Sequence, residues 1–282
     1  MMSTVTKISV FLCVVIGIAA ALQFDMRRLQ SGNIKPIVED AEPPGAVADR
    51  GFRILLCTLS QYSSPTTQHV ARFKRLAERT GMFDRISVYT VPDVSRTIDY
   101  AHMKIPQKSI YGIKLLKPMT ILTAMKSADE NDVIVYADIN SGFHSNADAA
   151  TRFSDYIENL FKSTSKRIAF SMNQFPEYKY TSAELLEIFD FRDPKTLELP
   201  QLSSDLLFFI NTKENQDLVQ AWFDILQANN YRFLVNNHDE PGLVKHNSET
   251  SVLSCLLKNE GVYIEEEPNP YDMKSPIIIR GF

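Results

Sequence analysis

The sequence is poor in the residues that build disulfide-bonded, metal-stapled or repetitive proteins. Its 282 residues include only three cysteines, which excludes a disulfide scaffold. No Cys-x-x-Cys pair occurs, and no cysteine and histidine group has zinc-finger spacing. With ten glycines and fourteen prolines against 44% hydrophobic residues, the chain is neither collagen-like nor disordered. What remains is a globular protein that is long enough to fold around its own core.

Several catalytic signatures are missing as well. The absence of G-x-x-x-x-G-K-[ST], G-x-G-x-x-G, H-E-x-x-H and G-x-S-x-G removes the main P-loop, dinucleotide-binding, zinc-protease and serine-hydrolase interpretations. No N-x-S/T sequon occurs, so there is no positive sign of a glycosylated surface. A formal net charge of −4 makes a broad basic surface unexpected, and nucleic acid is therefore not a predicted partner.

One long apolar run lies near the N-terminus, at residues 8–22 (ISVFLCVVIGIAAAL). Its length falls between the core of a signal peptide and the roughly 20 residues of a membrane span. Ala19-x-Ala21 fits a signal-peptidase site, whereas Arg27-Arg28 follow the run as a membrane boundary would. A helix packed on the folded domain is a third interpretation. We expect an uncleaved single-pass anchor over residues 1–29, facing the Golgi or endoplasmic reticulum lumen in a eukaryotic cell; cleavage would make the protein secreted.

Residues 30–50 differ in composition from the rest of the chain. They contain three prolines and several acidic residues, without a helix or strand period. We therefore predict a stem at 30–50 and a folded domain at 51–282.

Strand and helix patterns alternate through the first half of this domain. Apolar strands are predicted at 53–59, 85–91 and 132–137, with a helix near 70–77 and a second helix that opens at Pro118. Further strands are predicted at 167–172, 203–211, 262–264 and 277–279, and helices near 181–185 and at 213–227 and 249–259. Strands that are apolar on both faces and alternate with helices predict an α/β fold with a mostly parallel central sheet flanked by helices.

Polar side chains follow the third predicted strand. Asp138 and Asn140 are two positions apart, so an extended backbone would point both oxygens the same way. Ligands of parallel sheets sit beyond the carboxyl ends of the strands, and hard divalent cations prefer oxygen ligands. The alternative is a pair of ordinary turn hydrogen bonds.

Three segments occur in an informative order. They are YGIKLLKP at 111–118, YADIN at 136–140 and HNSETSVLS at 246–254, and PQLSSD at 200–205 lies between the last two. This order resembles a family of GT-A glycosyltransferases, of the bacterial and viral surface-polysaccharide type, with YGYWIWKP, YLDAGC and HRHDQSILS segments. The resemblance covers about residues 51–265.

The resemblance implies a GT-A catalytic domain of the hexosyltransferase class. Such an enzyme moves a sugar from a nucleoside diphosphate donor, here expected to be a UDP-sugar, to a hydroxyl of a glycan or glycoconjugate with Mn²⁺ or Mg²⁺ as cofactor. The family's tryptophans are absent from 111–118, and Asn140 stands in place of a second acidic ligand. The alternative is therefore a catalytically inactive relative that binds nucleotides or glycans.

The resemblance also implies roles for individual residues. Asp138, Asn140 and His246 would bind the metal, and Asp138 would act catalytically through it. Glu249 would orient the acceptor hydroxyl or take its proton. The alternative interpretation is that Glu249 is an acidic residue in the first turn of a helix, where the helix dipole favours it.

Donor contacts are expected from five further residues. Lys117 would contact the phosphate or ribose of the donor. The alternative interpretation is that Lys117 is a lysine exposed to solvent with no role in binding. Ser60 and Tyr62 would hold the nucleoside base, and Gln201 and Asp205 would contact the sugar.

Overall fold

The computed structural model describes residues 50–60, 67–96, 98, 100–235, 240–266, 268 and 271–279. The predicted anchor, the predicted stem except for Arg50, and Tyr62 lie outside the described residues. Within the described ranges, no helix combines the length and apolar character that a membrane span requires.

The described residues form eight strands and nine helices. The strands are β1 (Ile54–Ser60), β2 (Arg85–Thr90), β3 (Val133–Ala137), β4 (Gly142–Phe143), β5 (Arg167–Pro176), β6 (Pro200–Ile210), β7 (Tyr263–Glu265) and β8 (Ile277–Ile278). The helices are α1 (Gln68–Glu78), α2 (Val91–Ser95), α3 (Lys108–Lys126), α4 (Ala147–Lys162), α5 (Glu177–Tyr180), α6 (Ala183–Ile188), α7 (Pro194–Glu198), α8 (Lys213–Tyr231) and α9 (Glu249–Glu260).

The central sheet has six strands in the order β2-β1-β3-β6-β5-β7. β1 pairs in parallel with β2 and with β3, and β5 pairs in parallel with β7. β6 is antiparallel to both of its neighbours, β3 and β5, so the other five strands run in one direction. The prediction of a mostly parallel α/β sheet is confirmed at this level. The reversal of β6 was not predicted, because a strand buried on both faces has the same pattern in either direction.

Helices cover both faces of the sheet. On one face, Phe73 of α1 and Phe153 of α4 pack with alternate strand residues such as Leu56 and Val135. The intervening strand residues face the other side, where α3 packs on β1 and β3, α9 packs on β6, and α8 packs on both of these helices. Tyr136 lies on this second face, and Lys117 of α3 approaches its ring to 5.9 Å.

The helix α3 differs from its prediction in a way that affects the site. Pro118 does not open the helix; it lies in its interior, ten residues after the start at Lys108. A proline has no N–H to donate to the carbonyl four residues earlier, which costs about 3 kcal/mol. Every residue from Leu115 to Met125 is buried, and each large apolar side chain gains about 1.5–3 kcal/mol by burial. Burial therefore outweighs the proline, and residues 111–118 are helical.

The C-terminal elements follow their predictions in part. The helix predicted at 249–259 is α9, and it ends at Gly261, where φ is +84°. The prediction of a terminal strand at 277–279 is correct for Ile277 and Ile278, but this strand pairs with β4 in a separate two-stranded sheet. A short apolar triplet carries no information about its pairing partner.

Candidate functional site

The ammonium of Lys117 is the centre of a charged cluster at the carboxyl ends of the parallel strands. It donates to Ser204 Oγ at 2.9 Å, to Asp205 Oδ1 at 2.8 Å and to Glu249 Oε1 at 3.3 Å. These partners come from β6 and α9, more than 80 residues away along the chain. An ammonium has three N–H groups, so all of its donors are used.

Asp138 joins this cluster through the pairing of β3 with β6. Ala137 lies opposite Leu206 in the antiparallel ladder, and the N–H of Asp138 donates to the carbonyl of Asp205 at 2.9 Å. Both aspartates are therefore at the same level of the sheet, at the end of β3. We call Lys117, Asp138, Asp205 and Glu249, together with Lys114, the carboxyl-edge cluster.

Asn140 lies next to Asp138 but also bonds to it. The backbone N–H of Asn140 donates to Asp138 Oδ1 at 3.0 Å, which is the turn hydrogen bond that the sequence left open as an alternative. The side chain of Asn140 also bonds to this carboxylate, and both hydrogen bonds act to lower the pKa of Asp138. Both residues are partly exposed. The predicted pair thus forms a turn at the strand end.

The charged groups of the cluster shift one another's pKa values, some upward and some downward. Burial alone lowers the pKa of Lys117, but Asp205 and Glu249 outweigh burial and hold that pKa well above its ordinary value. Burial raises the pKa of Asp205, yet Lys117 and Lys114 together hold it below the usual range. For Asp138, burial and the nearby charge of Asp205 raise the pKa despite Lys117. Of the two aspartates, Asp138 is consequently the one whose negative charge is less compensated.

Lys114 is a member of the cluster that the sequence analysis missed. Its ammonium lies 3.3 Å from Glu249 Oε2, and its side chain is 30% exposed. Lys114 and Lys117 are three residues apart on α3 and so share one helix face. The spacing was visible in the sequence, but it carries this meaning only if 111–118 is helical.

The cluster is closed on one side and open on the other. The side chains of Lys117 and Glu249 are 6% and 7% exposed, whereas that of Asp205 is 42% exposed. Three carboxylates face two ammonium groups, which leaves an excess of one negative charge when all five are ionised. The open side is therefore acidic, with Lys114 as the accessible positive charge.

The donor atoms on this open side suit a hard divalent cation. Asp138 and Asp205 supply carboxylate oxygens and Asn140 an amide oxygen, which are the ligand types that Mg²⁺ and Mn²⁺ prefer. Across the described part of the chain, no group of three or more His, Cys, Asp or Glu side chains is arranged to hold a metal. A cation bound here would have to take its remaining ligands from water or from a phosphate.

His246 occupies a different position from the one predicted. It is fully buried; its Nδ1 accepts from the N–H of Ser182 at 3.2 Å, and its Nε2 lies 3.0 Å from the carbonyl of Phe233. Both ring nitrogens are thus occupied by backbone groups, and a metal would have to displace one of them. His246 joins two backbone segments in this structure, and the metal prediction depends on Asp138 and Asn140.

Lys117 and Gln201 also differ from their predicted roles. Lys117 was expected to reach a phosphate, but its three donors are directed into the protein. Gln201 was expected to contact the sugar, but it is fully buried and donates to Thr181 Oγ1 at 2.8 Å and to the carbonyl of Tyr180 at 3.0 Å. Both side chains are held by internal partners that the sequence pattern did not reveal.

The same edge of the sheet continues toward β1 and β2. Ser60, the last residue of β1, is fully buried and lies opposite Thr90 at the end of β2. Asp93 Oδ2 accepts from the N–H and Oγ1 of Thr90 at 2.8 and 2.6 Å, and Oδ1 has no hydrogen-bond partner among the residues that the structure describes. Asp93, like Lys114, was not predicted from the sequence, since it lies in a short helix beyond the strand.

Comparisons with known proteins find structural neighbours but no relative in sequence. No family model matches the chain, and no curated protein matches it in sequence. The crystal structure of mouse xyloside xylosyltransferase 1 in its apo form has 8% sequence identity and a TM-score of 0.39, over 76% of this chain and 84% of that chain. Mannose-6-phosphate isomerase from Helicobacter pylori has 10% identity and a TM-score of 0.29, over 61% of this chain and 80% of that chain. Likenesses at these scores carry no argument about function.

Proposed function

We propose that the chain is a GT-A-type glycosyltransferase that binds a nucleoside diphosphate sugar at the carboxyl-edge cluster. One observation carries the proposal: Lys117, Asp138, Asp205 and Glu249, chosen from sequence segments far apart, form one partly open charged group. A UDP-sugar is the expected donor, and a hydroxyl of a glycan or glycoconjugate is the expected acceptor.

The open side of the cluster has the charges that a bound diphosphate and a cation require. Asp138, Asp205 and Asn140 would hold Mn²⁺ or Mg²⁺, and such a cation neutralises the charge that develops on a leaving diphosphate. Lys114 is the partly exposed ammonium and would approach a phosphate oxygen from the helix side. Lys117, on the buried side of the cluster, holds Asp205 and Glu249 in position through its hydrogen bonds to their carboxylates.

Glu249 has a less direct relation to the reaction. Its carboxylate lies 3.3 Å from both lysine ammoniums, and its backbone carbonyl accepts from Trp222 Nε1 at 3.0 Å. These contacts give it a positioning role toward Lys114 and Lys117. The proton-accepting role that the family resemblance implies stays a prediction.

A catalytically inactive nucleotide- or glycan-binding protein is the second candidate. The observation that favours it is the internal pairing of Lys117 and Glu249, both of which are almost fully buried. In that case, Asp138, Asp205 and Lys114 would bind a ligand but no acid would be free to assist the acceptor.

Turnover of a panel of nucleotide sugars separates the two candidates. Release of UDP from UDP-sugars in the presence of Mn²⁺ should fall ~100-fold or more in Asp138→Asn, because a metal-bound carboxylate acts on the transition state. The control is Asp155→Asn, which neutralises an exposed aspartate of α4 and should leave the rate unchanged. Binding without turnover in the unmodified chain would support the inactive candidate, and neither binding nor turnover would exclude both.

We also propose that residues 8–22 anchor the protein in a membrane, since this run is the longest apolar segment of the sequence. Protease treatment of intact vesicles tests the proposal. An anchored protein is protected in the lumen and stays with the membrane after a carbonate wash. Recovery of a chain that begins shortly after Ala21 would show cleavage and secretion instead.

A further inference from the structure

A cavity of ≈ 430 Å³ lies at the start of β5, away from the carboxyl-edge cluster. It is bounded by the turn that follows α4, the beginning of β5, the first turn of α8, and the segment that joins α9 to β7. Its polar and aromatic lining includes Ser163, Ser165, Arg167, Glu214, Glu260 and Tyr263. The volume is in the range of small-molecule sites, roughly 300–1,000 Å³.

The cavity and the carboxyl-edge cluster lie at opposite ends of the strands of the central sheet. β3 and β5 run in the same direction, since both are antiparallel to β6. Arg167 of β5 pairs with Phe209 of β6, which on its other side pairs with Ile134 near the start of β3, whereas Asp138 follows the far end of β3. Four residues of strand separate the two levels, about 13 Å. A ligand in this cavity would therefore be separate from a donor bound at the cluster.

Arg167 is a buried cation whose hydrogen bonding is incomplete. Its side chain is 2% exposed; Nε donates to the carbonyl of Ser165 at 3.0 Å, and Nη2 donates to Glu214 Oε1 at 3.3 Å. The buried Nη1 has no hydrogen-bond partner within the part of the chain that the structure describes. A buried guanidinium nitrogen without a partner is costly, and Arg167 is one of the residues that line the cavity.

The charges around Arg167 disfavour an anion as that acceptor. Glu214 and Glu260 both line the cavity, so two carboxylates accompany one guanidinium. An added phosphate or carboxylate would meet a net negative lining. A neutral group that both donates and accepts can bond to the guanidinium and to the carboxylates at once.

The remaining lining is suited to a ring with hydroxyl groups. Ser163 and Ser165 present hydroxyls that are 2.8 Å apart, and the aromatic ring of Tyr263 is part of a side chain that is 39% exposed. Aromatic side chains offer a flat apolar face, against which the C–H face of a sugar ring can pack. Carboxylates, hydroxyls and a guanidinium around one aromatic ring complement a sugar in both its polar and its apolar groups.

We propose that this cavity binds a neutral saccharide, with Tyr263 under the ring and Arg167, Glu214 and Glu260 bonded to its hydroxyls. The site is independent of the proposed transfer reaction. If that reaction takes place, the cavity would hold a distant part of a long glycan.

Saccharide binding to the full-length chain tests this site. Maltotriose, mannotriose and xylotriose are titrated by calorimetry and ligand-observed NMR, and inorganic phosphate is titrated as a separate arm. We expect at least one trisaccharide to bind with a Kd on the order of 1 mM. Tyr263→Ala and Glu260→Gln should each weaken it about tenfold, since each removes one exposed lining group and leaves the core intact.

The control variants define the outcomes. Tyr178→Ala removes a tyrosine of similar exposure, 42%, that does not line the cavity, and it should bind as the unmodified chain does. Asp138→Asn should also bind normally, so that loss of the transfer reaction and loss of this site are told apart. No trisaccharide binding, equal binding by Tyr263→Ala, loss of binding in Asp138→Asn, or binding of phosphate in place of sugars would each overturn the proposal.

Discussion

Two buried glutamates each pair with a lysine at one end of helix α9: Glu177 pairs with Lys258 of that helix, and Glu249 of that helix pairs with Lys117. The two groups differ in how completely their charges are balanced. Glu177 is fully buried: Oε1 accepts from Thr181 and Gln201, and Oε2 accepts from Ser254 and from Lys258. One carboxylate is balanced by one ammonium, and both carboxylate oxygens are bonded. Buried polar groups satisfied in this way fix the positions of the elements that carry them.

The carboxyl-edge cluster lies near the other end of the same helix and is not balanced. Its three carboxylates face two ammoniums, Asp205 is 42% exposed, and the charge of Asp205 helps to raise the pKa of Asp138. Excess charge of one sign on a partly open surface is costly for the isolated protein, and a ligand of opposite charge relieves it. The comparison indicates that the Glu177 network supports the architecture, whereas the unbalanced charge of the cluster is the feature on which the proposed binding role rests.

Removal of Glu177 should have the largest effect on stability. Glu177→Ala leaves Lys258, 6% exposed, as an uncompensated buried cation, which costs about 3–5 kcal/mol. Urea unfolding measures the loss, and Glu198→Ala, which removes an exposed glutamate of α7, serves as the control. If the two variants unfold at the same urea concentration, the Glu177 network is not the structural element described here.

Removal of Lys117 should cost less, about 2–3 kcal/mol, because Asp205 is open to water and Lys114 still faces Glu249. The pKa of Asp205 is lowered in the folded protein, so this stability is present above the unfolded value near ~3.9 and is lost as pH falls through the folded value. The difference between the unmodified chain and Lys117→Met should therefore shrink below about pH 4.

Lys126→Met provides the matched control, since it removes an exposed lysine from the last turn of the same helix. It should unfold like the unmodified chain at every pH. A difference for Lys117→Met that stays constant between neutral pH and pH 3 would contradict the assigned pairing with Asp205.

A second carboxylate at the end of β3 should increase the excess negative charge of the carboxyl-edge cluster, and with it the difference from the balanced Glu177 network. Asn140→Asp adds a carboxylate next to Asp138, and the affinity for Mn²⁺ should rise about three- to tenfold because charged oxygen ligands bind such cations more strongly. Mn²⁺ binding is followed by electron paramagnetic resonance. Asn259→Asp, at an exposed position near the end of α9, should leave the affinity unchanged; an equal gain there would show a general charge effect only.

The smallest expected effect is an increase in stability. The pKa of Asp138 is raised in the folded protein, mainly by burial and by Asp205, so its ionised form destabilises the fold at pH values above the unfolded pKa. Asp138→Asn should therefore unfold at a slightly higher urea concentration than the unmodified chain at pH 7 without a cation. The gain should shrink as the pH falls and vanish below about pH 3, where the aspartate is protonated in both the folded and the unfolded protein; lower stability at pH 7 would contradict the account.

The sequence predicted the architecture better than it predicted connections between elements. Apolar runs identified β1, β2, β3 and β5, because buried strands of a parallel sheet must be apolar on both faces. The reversal of β6 and the separate pairing of β8 depend on long-range contacts that leave no local pattern. The interior position of Pro118 was missed because burial of α3 outweighs the intrinsic preference of proline for a helix start.

For the site, the order of segments that resembles GT-A glycosyltransferases singled out Lys117, Asp138, Asp205 and Glu249, and the structure places these four residues in one cluster. The direction in which each side chain points was not predictable. His246 could bind a metal and Gln201 could bind a sugar, but both side chains bond to buried groups of the protein. The spacing of Lys114 and Lys117 became informative only once their segment was known to be helical. Chemical type is thus visible in a sequence, whereas the partner that each group finds is a property of the fold.

Thermal unfolding with a nucleotide sugar and Mn²⁺ tests the central claim most directly. A donor at 100 times its Kd should add about 2.7 kcal/mol, which raises Tm by about 5–10 °C for a domain of this size. The account predicts this rise for the unmodified chain and for Asp155→Asn, only when donor and Mn²⁺ are both present, and no rise for Asp138→Asn. An unchanged Tm across all nucleotide sugars, or an equal rise in Asp138→Asn, would contradict it.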